Sequence, residues 1–280
     1  MLASDKIDVV CICTPSGNHA ELSVAAMEKG KNVIVEKPMA LTPEDCQWVV
    51  DTQNKTGKKC VVISQLRFSQ TSKKVKEALA DNKLGKLLEC GVHMKFFRSE
   101  EYYNSSDWRG TWAMDGGGAL MNQGIHGVDL MLYYMGDVKS VFAYCKTLRH
   151  NIEVEDTAVA AVEFKNGAVG VIEATTSVLP GYPRQIELCG SEGSIVLEED
   201  SILKWDIQSQ YEKTGKAENS SFADPTKISF MGHKAQIENL INHLENGEEL
   251  LIDANEGRRS VELICAIYES SAKGEKIDFK

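Results

Sequence analysis

An asparagine and a histidine four residues apart are the first residues in this sequence that point to chemistry. They lie in residues 120–136, where apolar side chains repeat with helical period and would face a core: Met121, Ile125, Val128, Leu132 and Met135. At this spacing Asn122 and His126 stand one helical turn apart and project in the same direction. Such a pair can hold one substrate between an amide and an imidazole. A helix histidine that bonds a neighbouring carbonyl is the structural alternative.

A lysine and several polar residues stand at predicted strand ends. Lys37 follows a short apolar strand in the sequence Glu36-Lys37-Pro38. Ligands of open α/β sheets gather at the carboxyl ends of the strands, which favours a binding role over that of an ordinary surface lysine. The other residues at these ends are Thr14, Pro15, Asn18, His19 and Glu36. Asn18 and His19 can equally cap the helix that follows.

The elements that would carry these residues alternate between strand and helix. Apolar, β-branched strands are predicted at residues 9–13, 32–35 and 60–64, with helices at 19–29 and 43–55 between them. Gly30 and Gly57 would end the helices, and Thr42-Pro43 would begin the second one. Parallel strands joined by right-handed crossovers predict half of a doubly wound nucleotide-binding sheet.

Beyond residue 84 the pattern changes to antiparallel strands. These are predicted at residues 87–97, 138–147, 158–164, 168–175, 184–189, 195–198 and 203–207, with a hairpin turn at Asn166-Gly167. Polar residues 209–229 predict a loop, and helices at 234–245 and 255–272 close the chain.

The predicted fold class is α/β plus α+β. A partial Rossmann-like domain at residues 1–84 would precede a predominantly antiparallel sheet with flanking helices at 85–280. The C-terminal helix would pack back on the first domain.

Charge and cysteine content exclude several classes of protein. A net charge of −10 and a pI near 5.2 argue against nucleic-acid binding, which needs clustered Lys and Arg. The eight cysteines lie mostly in apolar runs without CxxC pairs, so we expect small reduced core residues. No apolar stretch reaches the ~18 residues of a membrane span. These features predict a cytoplasmic protein with no membrane partner.

Two segments resemble the Gfo/Idh/MocA family, the relatives of glucose-fructose oxidoreductase and inositol dehydrogenase. They are DVVCICTPSGNHAELSVAAMEKGKNVIVEKPMALT at residues 8–42 and WRGTWAMDGGGALMNQGIHGVDLMLYYMG at residues 108–136. The closing EGRRSVELICAIYESSAKGEKI is also similar to the family's C-terminal helix. The likeness covers essentially the whole chain, and the combination is far more specific than any one motif.

The resemblance implies hydride exchange between NAD or NADP and a secondary hydroxyl of a sugar, cyclitol or nucleotide-sugar. His126 would be the general base, which suits an imidazole because its ordinary pKa is near neutrality. Lys37 would stabilise the developing alkoxide. Asn122 stands where many members have aspartate, so it would orient a substrate hydroxyl by hydrogen bonding. Asp129 could steady the imidazole or hold a structural partner.

The resemblance also assigns a cofactor wall to Thr14, Pro15, Asn18, His19, Glu36 and Lys37. The family's glycine-rich phosphate turn does not precede Met1, since the only glycine cluster is Gly116-Gly117-Gly118. We therefore expect the first half of the dinucleotide-binding domain to be missing and cofactor binding to be weakened. A non-catalytic carbohydrate-binding or oligomeric scaffold protein is the alternative function.

Further residues are candidates for lining a sugar pocket. A planar ring stacks on a pyranose and an arginine forks onto hydroxyls or carboxylates, which suggests Arg67, Arg98, Tyr103, Trp108, Arg109 and His233. For each one, an ordinary packing or salt-bridge role is the alternative. The histidine spacing implies no metal site. The family commonly associates through its C-terminal sheet, so a homodimer or homotetramer is expected.

Overall fold

Two β-sheets organise the chain, one small and parallel, the other large and mostly antiparallel. The structure is a computed structural model and describes residues 1–207, 210–212 and 230–279. Of the predicted loop at residues 209–229, Gln210–Glu212 instead forms a short strand, and the rest lies outside the described residues. The predicted fold class of α/β followed by α+β is confirmed.

The small sheet contains three parallel strands in sequential order. They are β1 (Val9–Ile12), β2 (Asn32–Val35) and β3 (Cys60–Val62), connected by helices α1 (His19–Glu28) and α2 (Pro43–Thr56). Strand β2 is buried along its whole length because it is the central strand with side chains packed on both faces.

Local signals set the ends of these helices. The Thr42 hydroxyl accepts a hydrogen bond from the Asp45 amide at 3.1 Å, so it caps α2 as predicted. Gly57 ends the same helix in the left-handed conformation, with φ of 69°. Asn18 precedes α1, but its side chain makes no capping bond, so that expectation was wrong.

The second face of the small sheet is covered by helix α6 (Met231–Asn246). Leu240 of this helix packs on Ile34, Val61 and Ile63. Strand β1 lies at the sheet edge, and Cys11 and Cys13 are exposed there. The expectation that the cysteines are core residues therefore fails for these two, although Cys46, Cys60 and Cys90 are buried.

The large sheet has the strand order β11-β10-β9-β8-β4-β7-β6-β5-β12. Its strands are β4 (Leu87–Lys95), β5 (Val138–Lys146), β6 (Thr157–Phe164), β7 (Val169–Thr175), β8 (Gln185–Gly190), β9 (Gly193–Glu198), β10 (Ser201–Ile207), β11 (Gln210–Glu212) and β12 (Ile277–Asp278). The pairing of β4 with β7 is parallel, a departure from the antiparallel prediction. The Asn166-Gly167 hairpin between β6 and β7 forms as predicted.

One face of this sheet is covered by helices. The helices not yet given are α3 (Gln70–Ala80), α4 (Glu100–Tyr103), α5 (Ile125–Met135) and α7 (Ala254–Lys273). The single α-helix predicted at residues 120–136 is wrong at its start, because Ala119–Gly124 forms a π-helix that leads into α5. The predicted apolar stripe is nevertheless buried, since Met121, Ile125 and Met135 are each at most 3% exposed.

Helix α7 packs against both sheets. Gly257 meets Val62 of β3 so closely that a Cβ would lie 2.2 Å from a valine methyl group. Further along α7, the Ser270 hydroxyl accepts a hydrogen bond from the Ala143 amide of β5 at 3.0 Å. The helix thereby joins the carboxyl ends of the small sheet to the helical face of the large one.

Candidate active site

Lys37 lies where the two sheets meet. It follows β2, and its Nζ donates a hydrogen bond to the Asn122 carbonyl oxygen in the π-helix at 2.8 Å. Burial lowers the pKa of Lys37, Glu36 and Asp115 oppose the shift by their negative charge, and Arg109 and Arg98 add to it. The two stretches that carry the resemblance therefore meet through this bond.

His126 is the second residue of α5, which directly follows the π-helix. Its Nε2 lies 3.4 Å from Nε2 of Gln65, a residue that follows β3 and is 5% exposed. Burial lowers the pKa of His126 well below the ordinary value of about 6.5, and the charges of Lys37, Arg184 and His233 lower it further. The imidazole is neutral at pH 7 and can accept a proton.

Asn122 is fixed by its neighbours on the protein side. Its amide nitrogen donates to a carboxylate oxygen of Asp115, and its amide oxygen accepts from Gln123 Nε2 at 2.9 Å. Asn122 lies in the π-helix, and its side chain bonds Asp115 and Gln123. The His126 ring has a different neighbour, Gln65, so the two side chains share no partner among these contacts. Both residues stay candidates, but the simple α-helical geometry drawn from their four-residue spacing was wrong.

The network continues into residues that sequence reasoning ranked low or missed. Gln123 donates to the Tyr102 hydroxyl at 2.7 Å and accepts from Arg98 Nε at 3.0 Å. Arg109 donates to the same Tyr102 hydroxyl at 2.6 Å. Trp108 contacts the Arg109 guanidinium, whose carbon lies 4.8 Å from the ring centroid. Tyr102 and Gln123 carried no sequence signal, whereas Gln65 follows β3 and the strand-end rule applied to Lys37 would have found it.

The glycine cluster lets the start of the π-helix approach helix α7 and the segment that precedes β6. A Cβ at Gly118 would lie 2.1 Å from the Glu155 carbonyl oxygen, and one at Gly117 would lie 2.1 Å from the Tyr268 hydroxyl. The buried Glu155 carboxylate accepts the amides of Gly118 and Leu120 at 3.0 and 2.8 Å. The run Gly116-Gly117-Gly118 therefore indicates, already in the sequence, a backbone segment that packs closely against other parts of the chain.

The predicted cofactor residues surround the carboxyl edge of β1 and β2. His19 is buried, with ring nitrogens 2.8 Å from the Thr14 carbonyl oxygen and 2.7 Å from that of Pro38. It therefore ties the two strand ends together through backbone atoms. Thr14 is exposed, and the side chains of Asn18 and Glu36 are half-buried at this edge. Polar groups and open backbone at such an edge fit a dinucleotide.

Several candidates have structural partners instead. The Tyr103 hydroxyl bonds Thr176 at 2.8 Å in the core, so its polar atom has a structural partner. Arg67 is wholly buried and pairs with Asp129 at 2.7 Å, so neither the pocket role of Arg67 nor the support of His126 by Asp129 is found. His233, near the start of α6, is close enough to influence His126 electrostatically.

The described residues contain no group of three His, Cys, Asp or Glu side chains able to hold a metal ion. Among the described helices, none is long and apolar enough to cross a membrane. A parallel sheet with polar groups at its carboxyl edge, and with a lysine near a neutral histidine, is the arrangement expected of a dinucleotide-dependent oxidoreductase.

Comparison with known proteins agrees with this class. Residues 1–64 match the profile described as an oxidoreductase family with an NAD-binding Rossmann fold, and residues 72–196 match the GFO/IDH/MocA C-terminal domain. The chain belongs to the GFO/IDH/MocA family of oxidoreductases.

Individual relatives cover nearly the whole chain. It is 28% identical to the D-glucoside 3-dehydrogenase of Escherichia coli over 99% of its length and 81% of that protein. It is 26% identical to the myo-inositol 2-dehydrogenase of Thermotoga maritima over 96% of its length and 79% of that protein. The WlbA dehydrogenase of Bordetella pertussis, in complex with NADH and UDP-GlcNAcA, superposes with a TM-score of 0.88 at 32% identity, covering 100% of this chain and 81% of that one.

Proposed function

We propose that this protein oxidises a secondary hydroxyl group of a sugar, cyclitol or nucleotide-sugar, with NAD as the hydride acceptor. One observation carries the proposal: the Lys37 ammonium bonds the π-helix that leads into His126, at the carboxyl edge of a nucleotide-binding sheet. The relatives named above are dehydrogenases of sugars and inositol, and they support the substrate class.

His126 removes the hydroxyl proton in this proposal. Its lowered pKa leaves the ring unprotonated at pH 7 and therefore ready to act as a base. A positive charge near the substrate oxygen favours loss of that proton, and Lys37 provides it because Glu36 and Asp115 support its charged form. Asn122, held by Asp115 and Gln123, orients the substrate.

The cofactor would lie against Thr14, Pro15, Asn18 and Glu36, with Lys37 between cofactor and substrate. His19 is buried beneath these residues and positions their backbone, since its ring nitrogens contact the carbonyl oxygens of Thr14 and Pro38. When bound, NAD would accept the hydride from the carbon whose hydroxyl group His126 deprotonates. We assign residues 1–84 to the cofactor domain and residues 85–280 to the substrate domain.

The open face of the large sheet is the proposed contact between copies of the chain. Tyr144 and Val159 pair in register on β5 and β6 and are 63% and 45% exposed, with Val169 of β7 54% exposed on the same sheet. Exposed apolar side chains on one face of a sheet favour protein association. We propose a cytoplasmic homodimer or homotetramer built through this face.

The function is tested by measuring NADH formation from a panel of sugars and inositols, alongside calorimetric titration with NADH. We expect turnover by the wild type, and a loss of about 10²- to 10⁴-fold in His126→Asn, because a positioned base contributes that much. The matched pair Lys37→Met and Lys139→Met separates the candidate lysine from a surface lysine on β5, and only the first should lose activity.

Two results would contradict the proposal. One is retention of full activity by His126→Asn. The other is a folded wild-type protein that binds both NADH and sugars but forms no NADH from any of the sugars. That result would favour the carbohydrate-binding alternative.

A further inference from the structure

A chain of hydrogen bonds with a fixed direction ends at Asp115 in the candidate active site. It begins at Arg98, whose Nε can only donate, and the Gln123 amide oxygen accepts from it at 3.0 Å. The amide nitrogen of Gln123 therefore faces the other way, where it donates to the Asn122 side-chain oxygen at 2.9 Å. The Asn122 amide nitrogen in turn donates to Oδ1 of Asp115. An arginine thus sets the orientation of two amide groups, and a carboxylate receives the last donor.

Asp115 accepts a hydrogen bond on each of its oxygen atoms. Its Oδ2 accepts from the Gly110 amide at 2.9 Å, and its Oδ1 accepts from Asn122. Amide nitrogens only donate, so neither contact requires a proton on the carboxyl group. Burial raises the pKa of Asp115, and these two hydrogen bonds oppose the shift together with the charges of Lys37 and Arg109. The contacts therefore favour the ionised carboxylate, although the residue is only 2% exposed.

Lys37 is bound to the same residue as Asp115. Its Nζ donates to the backbone carbonyl oxygen of Asn122, whose side chain donates to Asp115. The charged or titratable groups that interact with Lys37 include those of Glu36, Asp115, Arg109, Arg98 and His126. Glu36 directly precedes Lys37 in the chain. Asp115 is therefore the carboxylate that the chain beyond β3 contributes to the lysine.

We propose that Asp115 is a positioning residue of the candidate site: its carboxylate fixes the orientation of the Asn122 side chain and supplies the negative charge that faces Lys37 across Asn122. This inference rests on the proposed function and deepens it, because it names the group that orders two of its residues. It predicts that the carboxylate at position 115 and the amide at position 122 act as a pair and can exchange places.

The directions of the hydrogen bonds explain why a single substitution should fail and an exchange should succeed. In Asp115→Asn, one contact of the new amide sets two donors against each other, and the chain cannot reverse because Arg98 only donates. In Asn122→Asp alone, two carboxylates meet and disfavour each other's charge. With both substitutions, the amide at position 115 accepts from Gly110 and donates to the carboxylate at position 122, which also accepts from Gln123.

The test compares Asp115→Asn, Asn122→Asp and the double exchange with the wild type by pH profiles of kcat/KM. Asp115→Asn should lower kcat/KM by about ten- to a hundredfold, because the orientation of Asn122 is lost. The proposed reaction needs the charged form of Lys37, so activity falls as the pH rises through the pKa of the lysine. Loss of a nearby carboxylate should move this alkaline limb down by about one pH unit.

The double exchange should recover most of the activity and the wild-type alkaline limb, which a merely structural role of Asp115 would not predict. The matched control is Asp107→Asn, an exposed aspartate in the same segment between α4 and the π-helix. This control should behave as the wild type.

A second measurement requires no turnover. Competitive labelling of the folded full chain with acetic anhydride at several pH values, followed by mass spectrometry, reports the pH at which the Lys37 amine becomes reactive. This pH should be lower in Asp115→Asn than in the wild type and in Asp107→Asn, and the double exchange should restore it. Lys139, a surface lysine on β5, is the internal reference.

Two results would overturn the inference: a labelling pH of Lys37 that is the same in Asp115→Asn and the wild type, or a double exchange no better than the single variants. If Asp115→Asn does not fold, the double exchange still decides, since it should fold and show the wild-type labelling of Lys37. If the wild type oxidises no sugar or cyclitol, the proposed function fails, and the labelling experiment still decides the role of Asp115.

Discussion

The environment of His126 decides whether its imidazole can work as a base. Burial is the main cause of its lowered pKa, and electrostatic interactions with Lys37, Arg184 and His233 also disfavour the protonated ring. Gln65 Nε2 lies within hydrogen-bonding reach of His126 Nε2, and the Gln65 Oε1 is buried with no partner among the described residues. The residue-scale predictions concern these two side chains.

We expect the acid limb of the kcat/KM profile to lie well below pH 6.5. The reaction needs the neutral ring, and the folded-state pKa is lowered, so activity persists as the pH falls past the ordinary imidazole value of about 6.5. Initial rates measured across pH with a saturating cofactor would check this. A limb at or above pH 6.5 would contradict the electrostatic description of the site.

Substitution of Gln65 should change rate more than affinity. Gln65→Leu removes the contact with the imidazole and should lower kcat by about ten- to a hundredfold with little change in KM, because small misplacements of a reacting group are costly. Gln65→Glu should move the acid limb upward, since a neighbouring carboxylate favours the protonated ring. Both effects are measured from pH profiles of the two kinetic constants.

Gln53→Leu is the matched control for Gln65. Gln53 is a buried glutamine that bonds the Cys60 amide and Asp253 at a distance from the site. Its loss should reduce stability without moving the acid limb. If Gln65 variants behave in the same way as this control, Gln65 has only a structural role.

At the scale of elements, buried carboxylates hold two irregular segments in place. Glu155 bonds the start of the π-helix, and Asp156 accepts the amides of Leu148, Arg149 and His150 at 2.9, 2.7 and 2.9 Å in the β5–β6 connection. Burial alone would raise the pKa of Asp156, but these donors outweigh it and lower the pKa. The ionised carboxylate therefore stabilises the folded chain.

Asp156→Asn should lower the free energy of unfolding by about 1–3 kcal/mol at pH 7, since one of the two accepting oxygens becomes an NH2 group and its buried amide donors lose their acceptor. The folded state lowers the pKa of Asp156. The wild type is therefore more stable than Asp156→Asn above about pH 4, and this difference in the free energy of unfolding is lost as the pH falls through the folded-state pKa. Urea denaturation of both proteins at several pH values measures this.

The control for Asp156 is Glu163→Gln, a half-exposed carboxylate on β6 whose surface ion pair with Lys139 should contribute little to the denaturation midpoint. A difference between wild type and Asp156→Asn that stays constant from pH 7 to low pH would contradict the assignment.

At the scale of the whole molecule, Arg67 joins the small sheet to helices α5 and α7. It follows β3, is 1% exposed, and binds Asp129 of α5 at 2.7 Å and Glu256 of α7 at 2.9 Å. Its guanidinium carbon also lies 4.7 Å from the Tyr133 ring centroid. These contacts fix α5, and with it His126, relative to Lys37.

Arg67→Met should destabilise the protein by about 3–5 kcal/mol, because it leaves the Asp129 carboxylate buried without a counter-charge. Chemical denaturation measures the loss, and Arg258→Gln, a half-exposed arginine on α7, is the control with a small effect. The double variant Arg67→Met with Asp129→Leu should recover most of the loss. A single variant as stable as the control would contradict the role assigned to Arg67.

Local chemistry in the sequence was enough to predict much of this molecule. The strand runs, the Thr42 cap, the Gly57 terminus and the Asn166-Gly167 turn depend on neighbours within a few residues, and the structure contains each of them. Lys37 was predicted at a strand end for the same reason, and the role of His126 was predicted from its spacing and from the resemblance of its segment to a family. These features are determined by backbone propensity and hydrophobic period.

Only the tertiary structure decided how the candidate site is assembled. Lys37 and Asn122 are 85 residues apart in sequence, and Gln65 and His126 are 61 apart. The π-helix also depends on distant partners, since Glu155 binds its first amides and Gly118 admits the Glu155 backbone. Periodicity describes one element at a time, whereas these contacts depend on how two sheets and α7 pack, so the spacing of residues 120–136 could not reveal them.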